Sequence, residues 1–500
     1  AYKEKNRDAI NRLDKIIAHN SLPQVVARAL LEKGNIHFAL DESDKALQLY
    51  KKVMEYSGQR ALAAEASFSQ SKVYATVGDH ERLISTFVQV VQDYYDVEFW
   101  TRKAIGEILE LFEKQPTLEK KVSNLFNLTV EYKALPLLAA AVQNRIGDLY
   151  YRANENLLSK EAYKRTIDLF PSATTEKAIA QLALAKIYAE EENFEMSLGI
   201  YRQIAESSHD LDEYVKSARR GYIRQSIEKG IWEMKVGEVS LAAKSFLSLI
   251  DFSPETVAAH RGYVESHSRL KKTQQVIQFY KDRLAKPVNA TADHYSLGLA
   301  YTYLTPPDLD AAEREVGSAL ILNSREAYFH QTLGWIYEQK ERLKKGEGYL
   351  ERALQEYQTA LALNDDQADP ENSTNLLLNL GNGHYLLNNY LSAYHYYRER
   401  SRGKAGITDV NREAIYFQRY GESAFKCGFG SEAVDLFKKA LEVIDKSDHK
   451  RMAEINDRIA LAYQDGGQYA KAVEYFSKTL DLHRSTGNTA SIGRALRNIA

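Results

Sequence analysis

The stretch Leu380-Gly381-Asn382-Gly383-His384, with Ala393 and Tyr397 after it, decides the fold of this 500-residue chain. Gly381 and Ala393 are small residues twelve positions apart, and the turn-forming pair Asn388-Asn389 lies between them. Small residues let two helices cross closely, and an aromatic ring four positions after the second one fills the space beside the crossing. The stretch therefore predicts two amphipathic helices joined by a tight turn.

The same spacing recurs along nearly the whole chain, for example in Gly147, Ser159 and Tyr163. If position 1 is taken seven residues before the first small residue, units begin near residues 27, 64, 140, 178, 223, 257, 291, 327, 374, 414 and 453. A degenerate unit fits 100–139, and a further unit begins near 490 and stops in mid-pattern. Because a helix pair of this kind cannot bury its apolar face alone, we expect the units to stack into a solenoid.

The composition is consistent with a helical protein and excludes several other classes. Only 26 Gly and 9 Pro are too few turn-formers for an all-β sandwich or barrel. The chain is 44% hydrophobic and 27% charged, which excludes disorder, and no stretch approaches the roughly 18 apolar residues of a membrane span. A net charge of −2 argues against a general nucleic-acid binder. The single cysteine, Cys427, excludes an intrachain disulfide.

With these repeats the chain resembles a tetratricopeptide-repeat array. The resemblance implies an all-α fold, a right-handed superhelical solenoid of about twelve to thirteen helix-turn-helix units. The C-terminal third resembles the kinesin-light-chain-like repeats of bacterial regulators, through Leu480-Asp481-Leu482-His483 and Ala495-Leu496-Arg497-Asn498-Ile499-Ala500. The N-terminal part resembles the repeats of bacterial envelope proteins, through Tyr163 and Phe170-Pro171.

The repeat map predicts three segments. Residues 1–26 are expected to form an N-terminal capping helix, because the terminal face of a solenoid needs a polar cover. Residues 27–372 are expected to form a repeat array with irregular units near 100–139 and 223–256. Residues 373–500 are expected to form an array of units of about 40 residues, cut in mid-repeat.

Enzyme and cofactor motifs are not found in the sequence. Neither a Gly-x-x-x-x-Gly-Lys-Ser/Thr loop nor a His-Glu-x-x-His pair occurs. His260 and His267 are seven residues apart, but a core position and a solvated position explain them better than a metal pair. We therefore expect a protein that is not an enzyme, with no catalytic residue, no cofactor and no metal site.

Binding is expected on the first helix of each unit, because the resemblance implies that positions near 2, 5, 6, 9, 12 and 13 line a concave groove. The predicted partner-binding residues are Tyr295, Tyr303, Tyr328, Gln331, Trp335, Asn379, Asn382, Tyr385, Arg419, Arg458 and Asn498. Tyrosine and tryptophan are favoured at interfaces because they bury a large area and keep a hydrogen-bonding edge. For each aromatic residue the alternative is packing against neighbouring helices.

Position 6 of successive units is held by Asn379, Arg419, Arg458 and Asn498. The kinesin-light-chain-like class, which this segment resembles, uses asparagines here to hydrogen-bond the backbone of an extended peptide, since an amide both donates and accepts. Two arginines at this position favour an acidic peptide or a carboxylate. The alternative is that both arginines pair with acidic residues of the same surface, namely Glu422, Glu454 or Asp457.

Together these patterns predict a non-catalytic protein-protein interaction scaffold. It is expected to bind a peptide segment or a partner helix in the concave groove, without binding nucleic acid and without spanning a membrane. Three other hypotheses stay open: a regulatory or sensory arm of a larger protease-like or signalling protein that continues past residue 500, an RNA-binding helical repeat, against which the near-neutral charge argues, and an assembly factor of the bacterial envelope. The compartment is open between the bacterial cytoplasm and the periplasm or envelope, the latter being favoured if a signal preceded Ala1.

Overall fold

A computed structural model describes residues 2–500 except 57, 208–211, 287, 345, 365–369, 404–408 and 486–488. The described part of the chain folds into 26 α-helices and has no strand. Successive helices form hairpins with short turns, which confirms the predicted all-α helical-repeat solenoid. The chain divides into two compact units, residues 1–228 and 229–500. The predicted segment boundaries near residues 26 and 372 stay predictions.

The helices of the first unit are α1 (Tyr2–His19), α2 (Pro23–Ala39), α3 (Ser43–Met54), α4 (Arg60–Val77), α5 (His80–Asp93), α6 (Glu98–Glu113), α7 (Leu118–Glu131), α8 (Pro136–Arg152), α9 (Asn156–Leu169), α10 (Thr174–Glu190), α11 (Phe194–Ala205) and most of α12 (Asp212–Lys235). The second unit contains the end of α12 and then α13 (Val239–Phe252), α14 (Val257–Arg269), α15 (Thr273–Ala285), α16 (Ala290–Thr302), α17 (Leu309–Leu322), α18 (Ala327–Leu343), α19 (Tyr349–Leu363), α20 (Pro370–Leu386), α21 (Tyr390–Arg402), α22 (Val410–Lys426), α23 (Gly430–Val443), α24 (His449–Asp465), α25 (Tyr469–Ser485) and α26 (Thr489–Ile499).

The turns inside the hairpins have a repeated construction. Asp79 accepts a hydrogen bond from the backbone N–H of Arg82 and so caps the start of α5. One residue in each of several turns has a left-handed backbone, such as Gly428 with φ 86° between α22 and α23. Lys271 and Asn388 adopt the same conformation with φ 56° and 58°. Glycine suits this conformation because it has no Cβ to clash with the backbone.

The predicted pairing of a small residue with an aromatic ring holds the hairpins together. A Cβ on Gly381 would lie 2.6 Å from ring atoms of Tyr397, and one on Gly34 would lie 2.8 Å from the ring of Tyr50. Both tyrosines are completely buried. Glycine is therefore required at these crossings because the ring occupies the space of a side chain, and the spacing argument made from the sequence is confirmed.

In three hairpins the buried tyrosine also donates its hydroxyl to the residue that follows the glycine. The pairs are Tyr50 with Asn35 at 2.9 Å, Tyr163 with Asp148 at 2.6 Å, and Tyr397 with Asn382 at 2.9 Å. Each acceptor lies fifteen residues before its tyrosine. A buried hydroxyl without an acceptor costs free energy, so this tyrosine–acceptor pair completes the packing of the hairpin.

The two irregular units are helix pairs as well. Helices α6 and α7 occupy the region predicted as a degenerate unit. In the region 223–256, a Cβ on Gly230 would lie 2.5 Å from the ring of Phe246, and a Cβ on Gly262 in the following helix α14 would lie 2.3 Å from it. Glu233 lies three residues after Gly230, where the hairpin of Gly147 has the aromatic residue Tyr150, and it is 1% exposed. The unusual composition of this unit therefore changes its packing but not its hairpin form.

Candidate functional site

The predicted binding residues lie on or next to the first helices of hairpins in the second unit. They are Tyr295 in α16, Tyr303 directly after α16, Tyr328, Gln331 and Trp335 in α18, Asn379, Asn382 and Tyr385 in α20, Arg419 in α22, Arg458 in α24 and Asn498 in α26. The side chain of Asn498 lies outside the described residues. The partly exposed members form what we call the first-helix surface, namely Tyr303, Tyr328, Gln331, Trp335, Asn379, Asn382, Tyr385, Arg419 and Arg458.

Asn382 connects the core to the neighbouring first helix. Its Oδ1 accepts a hydrogen bond from Nη1 of Arg419 at 2.8 Å and another from the hydroxyl of Tyr397 at 2.9 Å. The guanidinium carbon of Arg419 also lies 5.3 Å from the ring centroid of Tyr385. The arginine is therefore held between an amide oxygen and an aromatic ring, which orients its remaining N–H groups.

Glu422 is the acidic centre of the same surface. Its Oε2 accepts the Tyr385 hydroxyl at 2.9 Å, and its Oε1 lies 3.2 Å from Nη2 of Arg458. The Glu422 side chain is 10% exposed, whereas that of Arg458 is 39% exposed. Burial, reinforced by the negative charge of Glu422, raises the pKa of Tyr385, so the phenol remains a donor at neutral pH. One carboxylate therefore binds side chains from α20 and α24.

The sequence alternative of pairing with an acidic residue is confirmed for Arg458, whose partner is Glu422. The partner of Arg419 is instead Asn382, a contact that the sequence reasoning missed. The signal that could have found it is the repeat period, because side chains one period apart face each other on adjacent first helices. The separations along the chain are 37 residues for both Arg419–Asn382 and Tyr385–Glu422.

The prediction of Tyr295 as a groove residue is wrong. Its side chain is completely buried, its ring stacks on Phe329 with centroids 4.5 Å apart, and its hydroxyl lies 3.2 Å from Oγ1 of Thr332. Phe329 and Thr332 belong to α18, the next first helix. Position 5 of this unit therefore faces the neighbouring first helix rather than solvent, and the packing alternative applies.

The other aromatic residues of this region retain some exposure. Tyr303 is 38% exposed, and Trp335 is partly buried against the core cluster that contains Tyr295. The guanidinium carbon of Arg261 lies 3.9 Å from the ring centroid of Tyr328, a stacking geometry that leaves the ring partly covered. These rings form a second patch of the first-helix surface, with an aromatic rather than an ionic character.

A metal site needs several ligands close together, and a membrane span needs a long apolar helix. In the described part of the chain, no group of three or more His, Cys, Asp and Glu side chains is arranged to hold a metal ion. None of the described helices combines the length and the hydropathy that crossing a membrane requires.

Comparison with known families gives two matches. A tetratricopeptide-repeat model matches residues 412–485, which include α22, α23, α24 and α25, and another matches residues 1–59. No curated protein matches the chain.

Comparison with solved structures gives matches of low sequence identity. A chain of the APC/C hetero-tetramer Cut9–Hcn1 is 14% identical, with 97% of this chain and 92% of that chain covered and a TM-score of 0.34. YrrB, described as a TPR protein with an unusual peptide-binding site, is 16% identical, with 44% and 97% covered and a TM-score of 0.35. PilF of Pseudomonas aeruginosa is 14% identical, with 55% and 97% covered and a TM-score of 0.32.

Proposed function

Because tetratricopeptide-repeat models match residues 1–59 and 412–485, we propose that the chain is a protein-interaction scaffold that binds a peptide segment across the first helices α20, α22 and α24. The observation that carries this proposal is the line of partly exposed polar side chains that crosses these three helices through Asn382, Arg419 and Arg458. Core packing alone does not require charged groups at these positions, and buried charges are costly unless they are paired.

The chemistry of the surface fits an extended peptide. Asn379 is partly exposed and offers both an amide donor and a carbonyl acceptor, which is what a peptide unit needs. Arg419 and Arg458 are oriented by Asn382 and Glu422, so binding would order few additional side chains. The guanidinium groups of Arg419 and Arg458 are the charged hydrogen-bond donors of this polar line, which favours an acidic segment.

The aromatic patch extends the proposed surface. Tyr303, Tyr328 and Trp335 offer partly exposed rings on or next to α16 and α18 in the same unit, and Gln331 offers a partly exposed amide beside them. We propose that these side chains contact apolar residues of the same partner, while the ionic part of the surface sets its orientation.

The experiment uses peptides selected from a random displayed library on the full chain, because the natural partner is not identified. We predict that Arg419→Gln and Arg458→Gln each weaken the binding of a selected acidic peptide about tenfold, since each removes a charge-assisted hydrogen bond. Fluorescence anisotropy measures the affinity, and circular dichroism checks that the helix content is retained.

The matched control is Arg412→Gln, which changes an exposed arginine in the first turn of α22. This control should leave the affinity unchanged. If Arg412→Gln weakens binding as much as Arg419→Gln does, the peptide responds to net charge alone and the proposed surface is wrong.

A further inference from the structure

Three hairpins have a buried tyrosine whose hydroxyl donates to an acceptor fifteen residues earlier. The hairpin of α10 and α11 has the tyrosine but not this acceptor. The small residue here is Ala185, the following residue is Lys186, and the tyrosine fifteen positions later is Tyr201. The asparagine or aspartate that accepts the hydroxyl elsewhere is therefore replaced by a cation, which can only donate. Within the described part of the chain the Tyr201 hydroxyl has no hydrogen-bond acceptor, although the side chain is 5% exposed.

The Tyr201 hydroxyl and the Lys186 ammonium group both line one pocket in the first unit. The pocket has a volume of about 490 Å³, and its polar lining consists of Lys186, Tyr201, Ser217, Arg220 and Arg224. The last three come from α12, whose Gly221 lets the helix approach so closely that a Cβ there would lie 2.5 Å from the Tyr201 ring. The lining contains three cations and two hydroxyls but no carboxylate.

The charges of this pocket are only loosely compensated. Lys186 lies 3.8 Å from Glu190 and Arg224 lies 3.9 Å from Glu228, and all four side chains are more than 40% exposed. Exposed pairs at such distances contribute little to stability. Among the described residues Arg220 has no acidic partner within 4.0 Å. Burial raises the pKa of Tyr201, the positive charges of Arg224 and Lys186 oppose this rise, and the negative charges of Glu190 and Glu228 add to it.

The number of donors decides which anion fits. Each arginine has five N–H donors and the lysine has three, and two hydroxyls add to them. A carboxylate offers two oxygens and one negative charge, whereas a phosphate monoester offers three oxygens and a charge of about −1.5 to −2 at neutral pH. Three cations in one pocket lining, two of them with only weakly paired carboxylate neighbours, are therefore matched better by a phosphate monoester than by a carboxylate. Arginine forks also match phosphate oxygens in bidentate geometry.

We propose that this pocket binds a phosphorylated side chain of a partner protein. This proposal rests on the proposed scaffold function, because it assumes that the phosphate is carried by a peptide. Leu182, Ala183 and Lys186 hold positions 5, 6 and 9 of their unit, which are positions expected to face a bound segment. The phosphate oxygens accept from Arg220, Arg224 and Lys186, and the ester oxygen leads to the backbone of the partner.

The test measures the anisotropy of a labelled alanine–glycine peptide with one central phosphoserine, beside matched peptides with serine or glutamate at that position. We expect the phosphopeptide to bind and the other two to bind at least tenfold more weakly. Arg220→Gln and Lys186→Asn should each weaken the phosphopeptide about tenfold. Lys186→Asn also restores the acceptor found in the other hairpins, so this variant should unfold at a temperature equal to or higher than that of the wild type.

Controls separate this site from net charge and from the surface in the second unit. Arg219→Gln changes an exposed arginine outside the pocket lining and should have no effect. Arg458→Gln should leave the binding of the phosphopeptide unchanged and weaken the binding of the library-selected peptide. The two measurements therefore test the two proposals separately. Equal binding of the glutamate peptide, equal loss in Arg219→Gln, or binding of inorganic phosphate without binding of the phosphopeptide would each overturn the proposal.

Discussion

At the scale of single residues, Glu422 determines the character of the first-helix surface. Its carboxylate is 10% exposed and has two partners, the Tyr385 hydroxyl and the Arg458 guanidinium. Because a carboxylate at this depth needs both partners, the side chains around it have little freedom before any ligand arrives. An oriented surface of this kind binds with a smaller entropic cost than a set of free side chains.

His330 connects the two helices of its hairpin and makes its stability depend on pH. Its Nδ1 lies 2.6 Å from Oε2 of Glu356, and this hydrogen bond holds the pKa of His330 above its ordinary value of 6.5. Because the pKa is higher in the folded state, the contribution to stability is complete below pH 6.5 and is lost as the pH rises through the folded pKa.

We therefore predict that His330→Gln is less stable than the wild type by about 1 kcal/mol at pH values near 5.5, and that the difference shrinks near pH 8.5. Thermal unfolding followed by circular dichroism across this range measures it. Glu356→Gln should flatten the same pH dependence, since it removes the other partner. Parallel curves for His330→Gln and the wild type would contradict this assignment.

Single residues also show where sequence reasoning reaches its limit. The spacing placed Tyr295 on a first helix, but it could not show that Phe329 of the next first helix would cover the ring. For Arg458 the sequence offered three acidic partners, and only the structure selects Glu422. The reason is the same in both cases, because contacts between adjacent units depend on how closely the helices pack and not on the pattern within one unit.

At the scale of the elements, the hairpin is the unit that the sequence predicts well. Small residues and aromatic rings at a regular spacing require a close helix crossing, and the contact of Gly381 with Tyr397 confirms it. Helix α12 (Asp212–Lys235) is less predictable, since its 24 residues contain both Gly221 and Gly230. The repeat map used Gly230 alone, although Gly221 is the residue that faces Tyr201. Two glycines at repeat-like positions in one helix leave the register ambiguous.

The left-handed turn residues give a prediction for the hairpins. Lys271 has φ 56°, a conformation that costs a residue with a Cβ about 1–2 kcal/mol. We predict that Lys271→Gly stabilises the chain by about 0.5–1 kcal/mol, after allowance for the greater flexibility of glycine in the unfolded state. Thermal or urea unfolding measures the change.

Asn388 provides the matched comparison for this turn. It has φ 58°, but asparagine tolerates the left-handed conformation better than lysine does. Asn388→Gly should therefore change the stability little or lower it slightly. A stabilisation by Asn388→Gly as large as that by Lys271→Gly would show that backbone strain at Lys271 is not the cause.

At the scale of the whole molecule, the described chain is a series of helix hairpins, and each of the two compact units has one proposed site. In residues 229–500 the proposed site is the first-helix surface, and in residues 1–228 it is the cationic pocket beside Tyr201. Repetition explains the fold, and both proposed sites lie where the side chains depart from the repeated pattern. The sequence could reveal the repetition, whereas the pocket became recognisable only when Tyr201 could be compared with its counterparts in other hairpins.

The most direct test of the scaffold proposal is amide hydrogen exchange of the full chain, measured by mass spectrometry with and without a library-selected acidic peptide. We predict that exchange slows in α20 (Pro370–Leu386), α22 (Val410–Lys426) and α24 (His449–Asp465), whose side chains form the polar line. The second helices α21 and α23 should change little. Protection confined to α21 and α23, with none in α20, α22 and α24, would contradict binding across the first helices.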